Sequence, residues 1–179
     1  MPRVLNAEDI SRSRSKLPSI AQLRINLRGS YYQANGNQLI DGNERIRGSH
    51  PFECVEFAYG RAIERGLFGN RQGLGAVLIG NAHTWDDRVA NSSYRGRLKT
   101  QPRIDSIVLW EANLKFQWRE GNLTYTEATD PVAGHVAFVE KVYPDGSFLI
   151  SEGNHQSRPH IRLVKAKTPA ANAAKFIYL

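Results

Sequence analysis

The sequence predicts an α+β domain in which helices come first and an antiparallel sheet follows. Three observations carry that expectation. Apolar residues recur at helical spacing after Pro51, a hairpin signature spans 135–152, and short apolar runs of strand length lie on either side of that hairpin.

The chain has 179 residues and a formal net charge of +7. That length suits one domain, read as residues 49–179, preceded by a partly helical N-terminal extension over 1–48. A domain of this size buries roughly 70% of the surface its unfolded chain exposes, so it needs neither disulfide nor metal to fold. The single cysteine excludes an intramolecular disulfide. No apolar run approaches the roughly 20 residues of a membrane span. The first 30 residues show no apolar core of a secretory signal, which points to synthesis in the cytoplasm. A sequence pI near 9.8 permits an acidic partner: nucleic acid, anionic lipid or a wall polymer. Apart from Arg12, Arg14 and Lys16 the basic residues are scattered, and no nucleic-acid motif accompanies them. Nucleic acid is therefore not expected as a partner.

Within 1–48, Leu17 to Leu27 carries apolar residues at spacing compatible with a short helix, and Asn35-Gly36-Asn37 and Asp41-Gly42-Asn43 read as turns. The second turn lacks the alternating oxygen ligands of a calcium loop. Pro51 suits a helix's first turn. Val55, Ala58, Tyr59, Ala62 and Ile63 then mark one helical face, and Gly66 ends it, so Cys54 falls in the first turn of a helix about a dozen residues long. Residues 69–101 are rich in Gly and Asn around a short apolar run at Ala76–Ile79 and Trp85. Ile104–Trp110 is a strand candidate, followed by a polar stretch, 111–133, without firm periodicity. His135–Val142 and Ser147–Glu152 then flank Tyr143-Pro144-Asp145-Gly146, a type I turn signature. Ile161–Val164 and Phe176–Tyr178 add two short strand candidates.

Two readings of Cys54 compete. A lone cysteine is commonly a small buried hydrophobe. At a helix N-terminus, however, unpaired N–H groups and the helix dipole favour the thiolate, the reactive form. The hairpin supplies a partner for the second reading. With an even loop of two or four residues around Pro144-Asp145, His135 lies opposite Asn154 and Ala137 opposite Glu152. His135, Glu152 and Asn154 then share one face, within cross-strand reach. An imidazole oriented by a carboxylate or amide is the base half of a thiol–imidazole mechanism. A three-residue loop would slip the register by one and send Glu152 to the other face. On pattern alone, a solvated polar face and a catalytic one remain equally open.

Five blocks in order shift the balance: Phe52–Ala62 around Cys54, Gly80-Asn81-Ala82-His83-Thr84-Trp85, Pro102–Trp110, Gly134–Val142, and Ser151-Glu152-Gly153-Asn154. Together, over residues 50–155, they resemble the CHAP family, the cysteine, histidine-dependent amidohydrolases/peptidases of the NlpC/P60-like, papain-like group. The resemblance implies a papain-like fold, N-terminal helices and a catalytic cysteine at a helix start packed on a central antiparallel sheet. It implies Cys54 as nucleophile, His135 as base, Glu152 to orient the imidazole and Asn154 as a further polar partner. Trp85, Trp110 and Glu53 are candidate substrate contacts, and no metal or cofactor is implied. The family's usual chemistry is cleavage of an amide bond in bacterial peptidoglycan, by N-acetylmuramoyl-L-alanine amidases or peptide endopeptidases. A lysin or a delivered antibacterial effector fits a signal-less wall hydrolase, with peptidoglycan as substrate and an immunity or delivery protein as partner.

Three departures from the family pattern stand out. Glu53 replaces the frequent Gln before the cysteine, Asp105 stands where a Gly commonly precedes the strand, and 111–133 is long. That long segment is expected as a substrate-facing loop, with Trp110, Phe116 and Trp118 either contacting substrate or packing. His83 and His155 are expected to be structural or exposed. The competing functions are a cytosolic amidase on a peptide conjugate, as in glutathionylspermidine amidase with its similar Cys-Val-Glu-Phe-Ala stretch, and an inactive wall-binding module.

Overall fold

A computed structural model describes residues 53–69, 72–155 and 158–179. The expectations for 1–48 and for Pro51, including the N-terminal helices, lie outside the described residues. Helix α1 runs Cys54–Glu64. It begins where Glu53 and Glu56 form a capping box, with Glu56 Oε2 accepting from the Glu53 N–H at 3.2 Å. It ends as expected at Gly66, whose φ of 71° continues the chain out of the helix without a Cβ penalty. At the start of the apolar run near Ala76, Gly73–Ala76 forms a single 3-10 turn. A second such turn, Ala82–Thr84, leads into α2, Trp85–Ala90.

Eight strands follow: β1 Leu98–Lys99, β2 Ser106–Trp110, β3 Lys115–Glu120, β4 Leu123–Ala128, β5 His135–Val142, β6 Phe148–His155, β7 Arg158–Val164 and β8 Lys175–Tyr178. A short helix, α3, Pro169–Asn172, precedes β8. Six strands make one antiparallel sheet in the order β1-β8-β2-β5-β6-β7, and β3 and β4 form a separate hairpin. The α+β expectation holds, with the cysteine-bearing helix packed across β5 and β6.

Every residue of β2 is buried, because both faces of the sheet are covered. Alternation divides them. Ile107 and Leu109 join Val136 and the apolar face of α1, including Cys54, Ala58 and Tyr59. Val108 and Trp110 join Ala137, Phe148, Phe176 and Ala170 on the other side. The segment 111–133 is corrected from an open loop to the β3–β4 hairpin. Its Phe116 packs into that second cluster and its Trp118 stacks on Tyr125 with centroids 5.4 Å apart. The polar composition hid these strands because one face of the hairpin stays in water.

The β5–β6 register is right at the site, but not for the expected reason. The loop is three residues long, not two or four: Tyr143 N–H donates to the Ser147 carbonyl at 2.8 Å, and Gly146 takes a φ of 83°. Near the turn the pairs are Lys141↔Leu149 and Val142↔Phe148, one residue out of the expected step. A bulge between Val139 and Lys141 then restores Val139↔Ile150 and Phe138↔Ser151. The extra residue is Glu140. Its carboxylate turns to Arg61 of α1, with contacts of 2.8 and 3.1 Å, and accepts from Ser151 Oγ at 2.6 Å. The bulge and the ion pair together return Glu152 to the face of His135.

Candidate active site

Cys54 is the first residue of α1 and is buried. His135 is the first residue of β5, with its side chain 12% exposed. Strand alternation assigns His135 to the face that carries Trp110, yet its position at the strand's end lets the ring meet the start of α1. There it shares a hydrogen bond with the Cys54 side chain. Its Nε2 lies 2.6 Å from Glu152 Oε2, which leaves Nδ1 as the ring nitrogen for the thiol. Burial disfavours the charged imidazole, but the hydrogen bonds to Cys54 and Glu152, and the charges of both, outweigh it. The His135 pKa is pushed up to about 10.

The imidazole is held from several directions. Trp110 pairs directly with His135 across β2 and β5, and the two rings stack with centroids 5.9 Å apart and an angle of 23°. Trp110 is itself locked by its Nε1, which donates to the Ala170 carbonyl at 2.7 Å. Gly134 sets the entry to β5. With a φ of 71° and the Trp110 carbonyl 2.7 Å from where a Cβ would stand, only glycine fits. His83 N–H donates to the Ala133 carbonyl at 2.9 Å, so the Gly80–Trp85 block braces the residues just before His135. His83 is thus structural, as expected.

Two partners of this site were not anticipated from the sequence. Arg162 of β7, cross-strand from Ile150, is buried and ion-pairs with Glu152 through Nε. Its Nη1 lies 2.7 Å from Glu127 Oε1 on β4, and its guanidinium sits 5.6 Å from the centre of the Trp110 ring. Burial works against Arg162's charge, but the two carboxylates raise its pKa. Burial also raises the Glu127 carboxyl, which Arg162 opposes. A chain Cys54–His135–Glu152–Arg162–Glu127 results, and it ties the β3–β4 hairpin to the imidazole. The signal for it was weak: Arg162 and Glu127 sit on segments whose partners are set only by tertiary pairing.

A cleft of about 130 Å³ opens over the cluster, lined by Glu53, Cys54, Trp110, Phe116, Glu127, Asp130, Gly134, His135 and Arg162, among others. Of the candidate contacts, Glu53 and Trp110 reach it. Glu53 is the residue before α1, and its side chain accepts from the Glu56 N–H, so the acidic departure from the family pattern serves as a helix cap. Trp110 shows only an edge, being 1% exposed. Trp85 does not reach the cleft. It is 1% exposed in the core, with its Nε1 donating to the nearby Gly80 carbonyl at 3.3 Å. Asn154 lies in β6, but its side chain and that of His155 are outside the described residues. Asp105 behaves as its glycine-like position requires: its φ is 58°, and its carboxylate accepts from Arg65 at 2.7 Å. Among the described residues, no three or more His, Cys, Asp or Glu side chains group to hold a metal ion.

Fold and site together define an α+β domain with a thiol–imidazole–carboxylate cluster between a helix start and the end of an interior strand of an antiparallel sheet. The chain belongs to the CHAP domain family, whose model matches residues 45–154. It is similar to a Staphylococcus aureus protein described as N-acetylmuramoyl-L-alanine amidase domain-containing, at 37% identity over 102 residues, 57% of this chain and 13% of that protein. An N-acetylmuramoyl-L-alanine amidase of Staphylococcus haemolyticus is 31% identical over 98 residues, 53% of this chain and 24% of its own length. The chain thus spans a quarter or less of these relatives. A crystal structure of an N-acetylmuramoyl-L-alanine amidase from S. aureus aligns at a TM-score of 0.49 and 30% identity, covering 73% of this chain and 31% of that one.

Proposed function

We propose that this chain hydrolyses an amide bond of bacterial peptidoglycan through a Cys54 thioester, with residues 49–179 as the catalytic unit. The observation that carries the reading is the hydrogen-bonded series from Cys54 through His135 to Glu152, at the start of a helix and open to a cleft. The imidazolium it favours is the natural partner of a thiolate. In the proposed reaction the Cys54 thiolate attacks the amide carbon. The Cys54 N–H, among the helix's first amides without an intrahelical acceptor, supports the oxyanion. His135 gives its proton to the leaving amine, then takes one from the water that opens the thioester. Glu152 keeps the ring oriented and stabilises its charge, as the carboxylate of a triad does.

Peptidoglycan as substrate rests on family membership and on the amidase names of the relatives. Those names favour the bond between N-acetylmuramic acid and L-alanine over a bond within the peptide. Action at the cell wall follows from that substrate, and a lysin or a delivered effector is the role proposed for it. No helix among the described residues is long and apolar enough to cross a membrane. Release of soluble material from purified peptidoglycan should require Cys54 and be lost in Cys54→Ala. An inactive wall-binding module would instead leave Cys54 no more reactive toward iodoacetamide at neutral pH than a free thiol.

A further inference from the structure

Glu127 stands in the cleft wall, where the hydrolytic reading uses only one of its two oxygens, through Arg162. Its side chain is 8% exposed, and Arg162 holds one oxygen, Oε1. The other oxygen, Oε2, is buried with no hydrogen-bond partner among the described residues. A buried acceptor left unpaired is costly, and native sites that keep one generally use it.

The charges around it narrow what it would receive. Glu53, Glu127 and Asp130 line the cleft. The two lining cations are already engaged: the His135 imidazolium faces Glu152, and Arg162 ion-pairs with Glu152 and Glu127, although its Nη1 makes no hydrogen bond among the described residues. Asp130 spends Oδ1 on the N–H groups of Val132 and Ala133, at 2.8 and 2.7 Å. In a chain of net charge +7, this wall carries three carboxyl groups against two cations, Arg162 and His135. Burial raises the Glu127 carboxyl, an effect that an arriving positive group would reverse.

We propose that Glu127 Oε2 receives a primary ammonium group of the substrate, making this a cleft for amine-bearing peptides. The proposal rests on the hydrolase reading and adds a specificity determinant to it. Arg162 fixes Oε1 and so presets the position of Oε2, which favours a charge-assisted hydrogen bond over a neutral one. Acetylating the amine removes the charge and adds bulk to a cleft of about 130 Å³.

The test compares peptidoglycan fragments carrying free amines with the same fragments acetylated. The wild-type chain should show a KM about 10-fold lower for the free-amine fragments at similar kcat, and in Glu127→Gln the ratio of the two KM values should fall to about one, whatever happens to kcat on both substrates through Arg162. Calorimetry on Cys54→Ala reads the same preference without turnover. Cleavage of both fragment sets with equal KM overturns the amine proposal and leaves the hydrolase reading standing. An amine preference in binding with no cleavage by the wild-type chain does the reverse. Equal affinity for both sets in Cys54→Ala, or binding of neither, also overturns it. Because the acetylation comparison uses the native chain, the test survives a Glu127→Gln variant that fails to fold.

Discussion

Glu140 and Arg61 form a buried ion pair that joins the bulge of β5 to the helix bearing Cys54, with both side chains 3% exposed. The pair links register to reactivity: the bulge puts Glu152 on the face of His135, and Arg61 anchors the bulge to α1. Breaking a buried pair by removing one partner leaves an uncompensated charge.

Glu140→Ala should therefore cost about 3–5 kcal/mol of stability by denaturant unfolding. If the fold survives, it should also lower activity, since nothing then pins the bulge. A loss below about 0.5 kcal/mol, the size expected of an unremarkable surface substitution, would show that the pair does not hold the register.

Glu152→Gln preserves shape but removes the charge that orients and stabilises the imidazolium. It should lower kcat by roughly 10²–10⁴-fold, the range for loss of properly supported acid–base catalysis. Circular dichroism and a thermal melt would check that the fold persists, because Arg162 also loses a charged partner. Wild-type kcat in Glu152→Gln would remove Glu152 from the mechanism.

The His135 pKa of about 10 predicts an imidazole still charged well above neutrality. A histidine whose folded pKa is raised stabilises the fold fully below its unfolded pKa near 6.5, and that contribution fades as pH climbs through about 10. Nuclear magnetic resonance titration should find His135 protonated at pH 8 in the wild type. In Cys54→Ala its pKa should fall, since the hydrogen bond and the electrostatic support from Cys54 are lost. Titration near 6.5 in the wild type would contradict the coupling.

Gly134→Ala forces a Cβ toward the Trp110 carbonyl at a φ of 71°. Left-handed strain alone costs roughly 1–2 kcal/mol, and relief of the clash must move the start of β5. The variant should unfold earlier and lose activity out of proportion to its stability, because His135 is the next residue. Activity that tracks folded fraction alone would make Gly134 a stability residue only.

Much of this was legible from pattern. The helix from Cys54 to Gly66 showed its period and its stop, and Pro144-Asp145-Gly146 marked the hairpin. Register brought His135 and Glu152 together, and the family resemblance added Cys54. The register argument nonetheless assumed an even loop, because a bulge such as that at Glu140 has no local signature and is stabilised by Arg61, far away in the chain. Trp85 looked like a substrate contact, but its indole N–H is satisfied by Gly80 five residues back, a burial that spacing does not show. Arg162 and Glu127 were invisible for a related reason. Each sits on a strand whose neighbours, β6 and β3, decide where it points. Glu53 looked like a bare departure from the family pattern until its place as the cap of α1 was clear.

The most direct measurement is mass spectrometry of fragments released from purified peptidoglycan by the wild-type chain and by Cys54→Ala. The account predicts Cys54-dependent fragments with new amino termini on alanine. Termini elsewhere in the stem or bridge would move the scissile bond but keep the mechanism. Fragments released equally by Cys54→Ala, or none released by either protein, would contradict it.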